Sequence, residues 1–117
     1  MNLTPLQVIN RIQQSIDKLA YKTNEYRDLL EKRAEAERDF DVAHASEVLR
    51  LKQQGEPATI IPMLAKGAKH VADLKFQAQV ADAIVKASEK SMRNLESALI
   101  GYESILSWEK KTREVGP

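Results

Sequence analysis

The sequence predicts an all-α fold: a long antiparallel two-helix hairpin, coiled-coil-like, with a short connector helix, completed by oligomerisation. Three observations carry that prediction. In the second half, Leu74, Ala78, Ala81, Val85, Ser88, Met92, Leu95, Leu99, Tyr102 and Leu106 alternate steps of four and three. That spacing lays one seam along a helix that winds against a partner helix. The first half carries a matching seam, and a Gly- and Pro-containing stretch separates the two. Finally, only 5% of residues are aromatic while 30% are charged, a composition suited to long helices and not to a sandwich or barrel. The 117 residues form a single domain, 1–117.

Thr4-Pro5-Leu6-Gln7 opens the first helix. Thr4 caps, Pro5 occupies the first helical position where a missing N–H has no partner to lose, and Gln7 completes a capping box. No Gly or Pro follows until Gly55, so the helix runs from about residue 5 to about 54. Its seam reads Ile9, Ile12, Ile16, Leu19, Thr23, Tyr26, Leu30, Arg33, Glu37, Phe40, His44, Val48 and Leu51. Arg33 and Glu37 interrupt it. Their long stems are expected to carry the charges past the seam to water, with register-fixing as the alternative.

Gly55 suits a left-handed cap and Pro57 blocks continuation, so residues 55–67 form the connector. Within it Thr59 caps a short helix from Ile60 to Lys66, and Gly67 closes it. The second long helix covers about 68–113, with Gly116-Pro117 ending the chain. A fold-back about residue 61 pairs positions whose numbers sum to roughly 122. This sets Leu51 near Val71, Phe40 near Ala81, Leu30 near Met92 and Tyr26 near Leu95, and puts Arg33 and Glu37 opposite Val85, Ser88 and Glu89.

Eighteen basic residues against seventeen acidic ones leave a net charge of +1, too little for a long-range field toward nucleic acid or anionic membrane. The absence of cysteine removes disulfides and thiolate metal sites. No signal peptide is visible at the N-terminus and no apolar stretch reaches membrane-spanning length, so a cytoplasmic protein without membrane association is expected. No nucleophile–base pair, strained serine elbow or Gly-rich phosphate loop stands out, so the reading is non-enzymatic, with no catalytic residue and no cofactor.

Asp41-x-x-His44 and His70-x-x-Asp73 carry the i, i+3 spacing found in helical metal sites. The expected register sets His44 and His70 at different levels, so the two are read as ordinary polar residues near the turn and no metal is expected. Arg50, Lys52, Lys66, Lys69 and Lys75 gather near the turn and are the candidate nucleic-acid contacts. Acids interleave with them and no stacking aromatic accompanies them, so a solvated polar rim is the expectation. The i, i+4 pairs Asp28–Lys32, Arg33–Glu37, Asp82–Lys86, Glu89–Arg93 and Glu109–Arg113 read as solvated helix support.

A second stripe lies off the main seam. Phe76, Val80 and Ile84 in the second helix, with Ile60, Ile61, Met63 and Leu64 in the connector, widen the apolar surface at the turn end. Such a surface marks an interface. A homo-oligomer contact, dimer or larger, ranks first and an unknown protein partner second. The connector folding over Phe76 and Val80 as a lid is the competing arrangement. Trp108 and Ile105, near Leu6 and Ile9, form a smaller patch at the other end.

Leu49-Arg50-Leu51-Lys52, the run from Gly55 to Gly67 and Leu106-Ser107-Trp108 resemble small helical proteins encoded by phages and prophages of Gram-positive bacteria. The similarity covers the connector and the end of the second helix, about a third of the chain. Many such proteins lie among early genes for DNA replication and recombination. The resemblance implies host-cell cytoplasm and no site residues. The expected function is therefore a helical interaction protein that binds a protein partner in phage DNA replication or recombination, or counters a host system. The alternatives are a nucleic-acid-binding accessory protein and a structural or assembly component.

Overall fold

The computed structural model describes residues 3–115, with side-chain surroundings through residue 112. Helix α1 spans Pro5–Gln53, α2 spans Ile61–Gly67 and α3 spans Lys69–Val115. The long helices α1 and α3 pack against each other as an antiparallel hairpin. The closing Gly116-Pro117 and the side chain of Arg113, paired with Glu109 in the sequence reading, lie outside the described residues.

Both ends of α1 follow from local chemistry. The Thr4 N–H donates to Gln7 Oε1 at 2.9 Å, and the Gln7 N–H donates to Thr4 Oγ1 at 3.2 Å. That reciprocal pair is the capping box. At the other end Gly55 adopts φ +82°. Its N–H reaches Lys52 O at 3.1 Å and the Glu56 N–H reaches Leu51 O at 3.2 Å. These two bonds make a Schellman motif, and the left-handed residue in it favours glycine.

The reversal is tighter than a connector spanning residues 55–67. Helix α2 is capped by Ile60, not by a Thr59 side chain, and no side-chain cap bond forms there. Ile61 and Ala65 of α2 are buried with Leu51 of α1, and Val48 packs against them. The short helix therefore already belongs to the returning arm. An extended Ala68 (φ −63°, ψ 131°) joins it to α3, with its N–H still bonded back to Leu64 O at 3.1 Å.

This placement shifts the register by about one heptad from the expected value. The contacts Thr23–Met92, Tyr26–Glu89 and Arg33–Asp82 pair numbers that sum to 115, not 122. A shift of seven keeps every seam residue on its face. It changes the neighbours: Arg33 meets Asp82 in place of Glu89, and Phe40 falls level with Lys75 in place of Ala81.

The described chain divides into a turn-end unit, Arg27–Lys86, and a free-end unit built from residues up to Tyr26 and from Ala87 onward. In the turn-end unit Val71 and Val85 are fully buried. In the free-end unit Val8 is fully buried and Ser15 and Ser88 are buried. All ten seam residues of α3 are buried or half-buried. On α1 the seam needs correction: Ile9 and Ile16 are exposed, and Val8 and Ser15 take the inner positions. Ile12, Leu19 and Tyr26 are half-buried in either reading. In the observed register Leu106 and Leu99 of α3 come level with the Val8–Ile9 and Ser15–Ile16 steps, where the smaller Val8 and Ser15 face inward and the larger isoleucines outward. Glu37 and Thr23 are likewise exposed, and Ala36 takes the half-buried place near Glu37.

Candidate protein-docking surface

The turn-end unit carries two features that bear on function. The first is ionic. Glu47 lies inside, 6% exposed, four residues before Leu51 on the inner face of α1. A carboxylate there needs partners, because its desolvation is costly. Arg50 supplies them: its Nε donates to Glu47 Oε2 at 3.1 Å and its Nη2 donates to Oε1. His70 Nε2 on α3 stands 3.7 Å from Glu47 Oε2. The Arg50 hydrogen bond is the main cause that holds the Glu47 carboxyl below the usual range, against the opposing effect of its burial. Arg50 is correspondingly raised by Glu47.

Arg33 is the second charged seam residue, and its stem does not simply carry the charge out to water. Its Nη1 donates to Asp82 Oδ1 at 3.2 Å across the hairpin, and Glu37 stands 3.9 Å from its Nε. Asp82 also accepts Lys86 at 2.9 Å. The Lys86 hydrogen bond leads the causes that lower the Asp82 carboxyl, with Arg33 adding to it.

These depressed carboxyls set a pH dependence. Glu47 and Asp82 ionise more readily in the folded chain, so the unfolded chain binds more protons as pH falls. Their stabilisation is fully present above the ordinary carboxylate range, about pH 4–5, and is lost on acidification through and below it. The thermal midpoint is expected to hold from pH 7 to pH 5 and to fall below pH 4, with Glu47→Gln flattening that fall. A midpoint that rises on acidification would contradict the assignment.

The second feature is an apolar groove between the long helices. Leu29 and Lys32 of α1 and Phe76, Gln77, Val80, Ala81 and Ile84 of α3 line it. Phe76 is 66% exposed, Ile84 46% and Val80 41%. The connector is therefore not a lid over Phe76 and Val80. Of its four candidate residues, Met63 and Leu64 are exposed, Ile60 is half-buried and Ile61 is inside at 4%. Ile61 belongs to the core with Leu51 and Ala65, because α2 needs one buried face to hold seven residues in place. Leu29 was absent from the sequence reading. It lies one step before the seam residue Leu30, and both are half-buried.

The basic candidates are partly neutralised. Arg50 is engaged by Glu47, and Lys69 Nζ meets Asp73 Oδ2 at 3.0 Å. Lys52, Lys66 and Lys75 are exposed and form no ion pair among the described residues. Among these residues no three His, Asp or Glu side chains come together as a metal site. The corrected register brings His44 and His70 close to one level after all, yet their surroundings differ: the His44 ring lies tilted 34° against Phe40 with centroids 5.8 Å apart and its Nε2 buried without a hydrogen-bond partner among the described residues, and His70 faces Glu47. Two of the expected i, i+4 pairs form, Arg33–Glu37 and Asp82–Lys86. Asp28–Lys32 and Glu89–Arg93 do not; Glu89 instead accepts the Tyr26 hydroxyl at 2.6 Å.

At the free end, Trp108, Ile105, Leu6 and Ile9 are all exposed. No helix among the described residues is long and apolar enough to cross a membrane. No known protein family, curated protein or solved structure matches the chain.

Proposed function

We propose that this protein acts without catalysis, as a helical hairpin whose turn-end groove binds another protein through a helix. The observation that carries this reading is the solvent-facing apolar line Phe76, Val80 and Ile84 with Leu29 behind it. Apolar residues at successive turns, flanked by a single lysine, suit the apolar face of an amphipathic helix. Leaving such a line wet forgoes about 25 cal/mol per Å² of burial, which a docked helix recovers. The resemblance to phage and prophage proteins supports a setting in host-cell cytoplasm, in phage DNA replication or recombination or in countering a host system.

The test compares binding by the full chain and by Phe76→Glu in extracts of phage-infected Gram-positive cells. A polypeptide held by the wild type and lost by the variant is expected, with retention insensitive to moderate salt. Retention of nucleic acid that weakens steeply as salt rises would replace this reading with phosphate binding. Equal capture by both proteins would remove the groove from the function.

A further inference from the structure

The proposed protein-binding role leaves the occupant of the groove open, and the charge pattern around it identifies one. We propose that the groove is filled by a second copy of this chain, with α3 crossing α3 antiparallel about a two-fold axis near Val80. This deepens the protein-binding reading and rests on it.

A two-fold axis at Val80 pairs residues whose numbers sum to about 160. Phe76 of each copy then meets Ile84 of the other, and Val80 meets its own counterpart. The largest exposed side chain of the line faces an aliphatic one at both ends, which is how self-complementary surfaces fill space. Asp73 lies one turn before Phe76 on the same side of α3; it is exposed, and its Oδ2 meets Lys69 of its own helix at 3.0 Å, which leaves Oδ1 for a second cation. In this alignment it passes Ile84 of the other copy and comes to the end of the groove that Lys32 lines. Lys32 forms no ion pair among the described residues, and its expected i, i+4 partner Asp28 does not engage it. The chain thus carries both halves of the contact: an acidic residue at the end of the apolar line and a lysine at the far end of the groove. The two-fold axis makes that pairing twice.

A parallel arrangement would do the reverse. It would stack Phe76 on Phe76, place Asp73 beside Asp73 and bring Lys32 toward Lys32, and like charges so placed oppose association. Charge therefore selects the antiparallel pairing. A foreign helix would need a carboxylate at the same offset from its apolar residues, whereas a second copy already has one.

Sedimentation of the full chain across micromolar concentrations tests this. A dimer is expected, and Phe76→Glu should be monomeric with unchanged helical circular dichroism, because Phe76 contributes little to the folded core. Lys32→Asp and Asp73→Lys should each weaken the dimer on the order of tenfold, since each turns two rim attractions into repulsions. The double reversal should restore wild-type affinity. That rescue is specific to a contact between these two residues across copies, and both are exposed, so neither change threatens the fold. A monomeric wild type, a dimer indifferent to Phe76→Glu, or a double reversal as weak as the single ones overturns the proposal. If the wild type is monomeric while Phe76→Glu still loses a captured polypeptide, self-association fails and protein binding stands.

Discussion

Leu51→Ala is expected to lower stability by about 2–5 kcal/mol, the range for truncating a buried leucine, while Leu49→Ala changes it by less than about 0.5 kcal/mol. The two residues are two positions apart on the last turns of α1. Leu51 is buried with Ile61 and Ala65, whereas Leu49 is exposed. The cost at Leu51 is high because it joins the end of α1 to the buried face of α2, Ile61 and Ala65. A seven-residue helix is too short to stand alone, so α2 depends on that contact. Leu51→Ala and Ile61→Ala should therefore be non-additive, the double variant costing less than the two singles together, since each already releases α2. Thermal unfolding followed by circular dichroism measures all four proteins. Additive losses would show that α2 stays docked without Leu51.

The parts of this fold legible in the sequence are those decided within a few residues. Thr4 and Gln7 form the capping box that their spacing announces. Gly55 takes the left-handed position that its neighbours require. The ten-residue seam of α3 is correct throughout, because its small and large residues repeat without interruption over nine steps. The register was not legible, since it depends on where α2 packs. Counting residues 55–67 as one symmetric connector places the fold-back near residue 61. Burial of Ile61 and Ala65 against Leu51 places it earlier, and that is a tertiary event with no local signature.

The α1 seam shows a second kind of limit. Ile12, Leu19 and Tyr26 recur every seven residues and fit two templates, one adding Ile9 and Ile16, the other adding Val8 and Ser15. Hydrophobicity favours the first. The hairpin buries the second set, Val8 and Ser15, and leaves Ile9 and Ile16 outside, so the fit between the helices overrides hydrophobicity. Glu47 was missed for a related reason. An acid on an apolar face reads as an interruption until Arg50, three residues on, is seen to fold back over it. In the candidate surface, Phe76, Val80 and Ile84 were legible as a stripe off the seam, whereas Leu29 and Lys32 opposite them follow only from the register.

Val85→Asp should strongly destabilise the hairpin while Ile84→Asp leaves it folded, although the two residues are adjacent. Val85 is 0% exposed and Ile84 is 46% exposed. One residue along a helix is a turn of about 100°, so the neighbours point to different surroundings: one to α1, the other to the open groove. A carboxylate introduced at Val85 is shut off from water. Arg33 and Lys86 are committed to Asp82, and Lys32 lines the groove on the side of Ile84. Burying an unpaired charge there costs roughly 4 kcal/mol or more, a large share of the 5–15 kcal/mol that typical domains possess. The variant must take up a proton, open the hairpin locally or unfold. Its stability should therefore recover partly as pH falls toward 5, opposite to the acid sensitivity set by Glu47 and Asp82. Ile84→Asp keeps its carboxylate in water, so its helical signal and thermal midpoint should stay close to those of the wild type. Its loss should appear instead in association, as the groove acquires a charge that an apolar helix cannot satisfy. Circular dichroism separates the two outcomes from the same pair of proteins. Equal unfolding by both variants would mean that Ile84 is a core residue and that the groove is closed in solution.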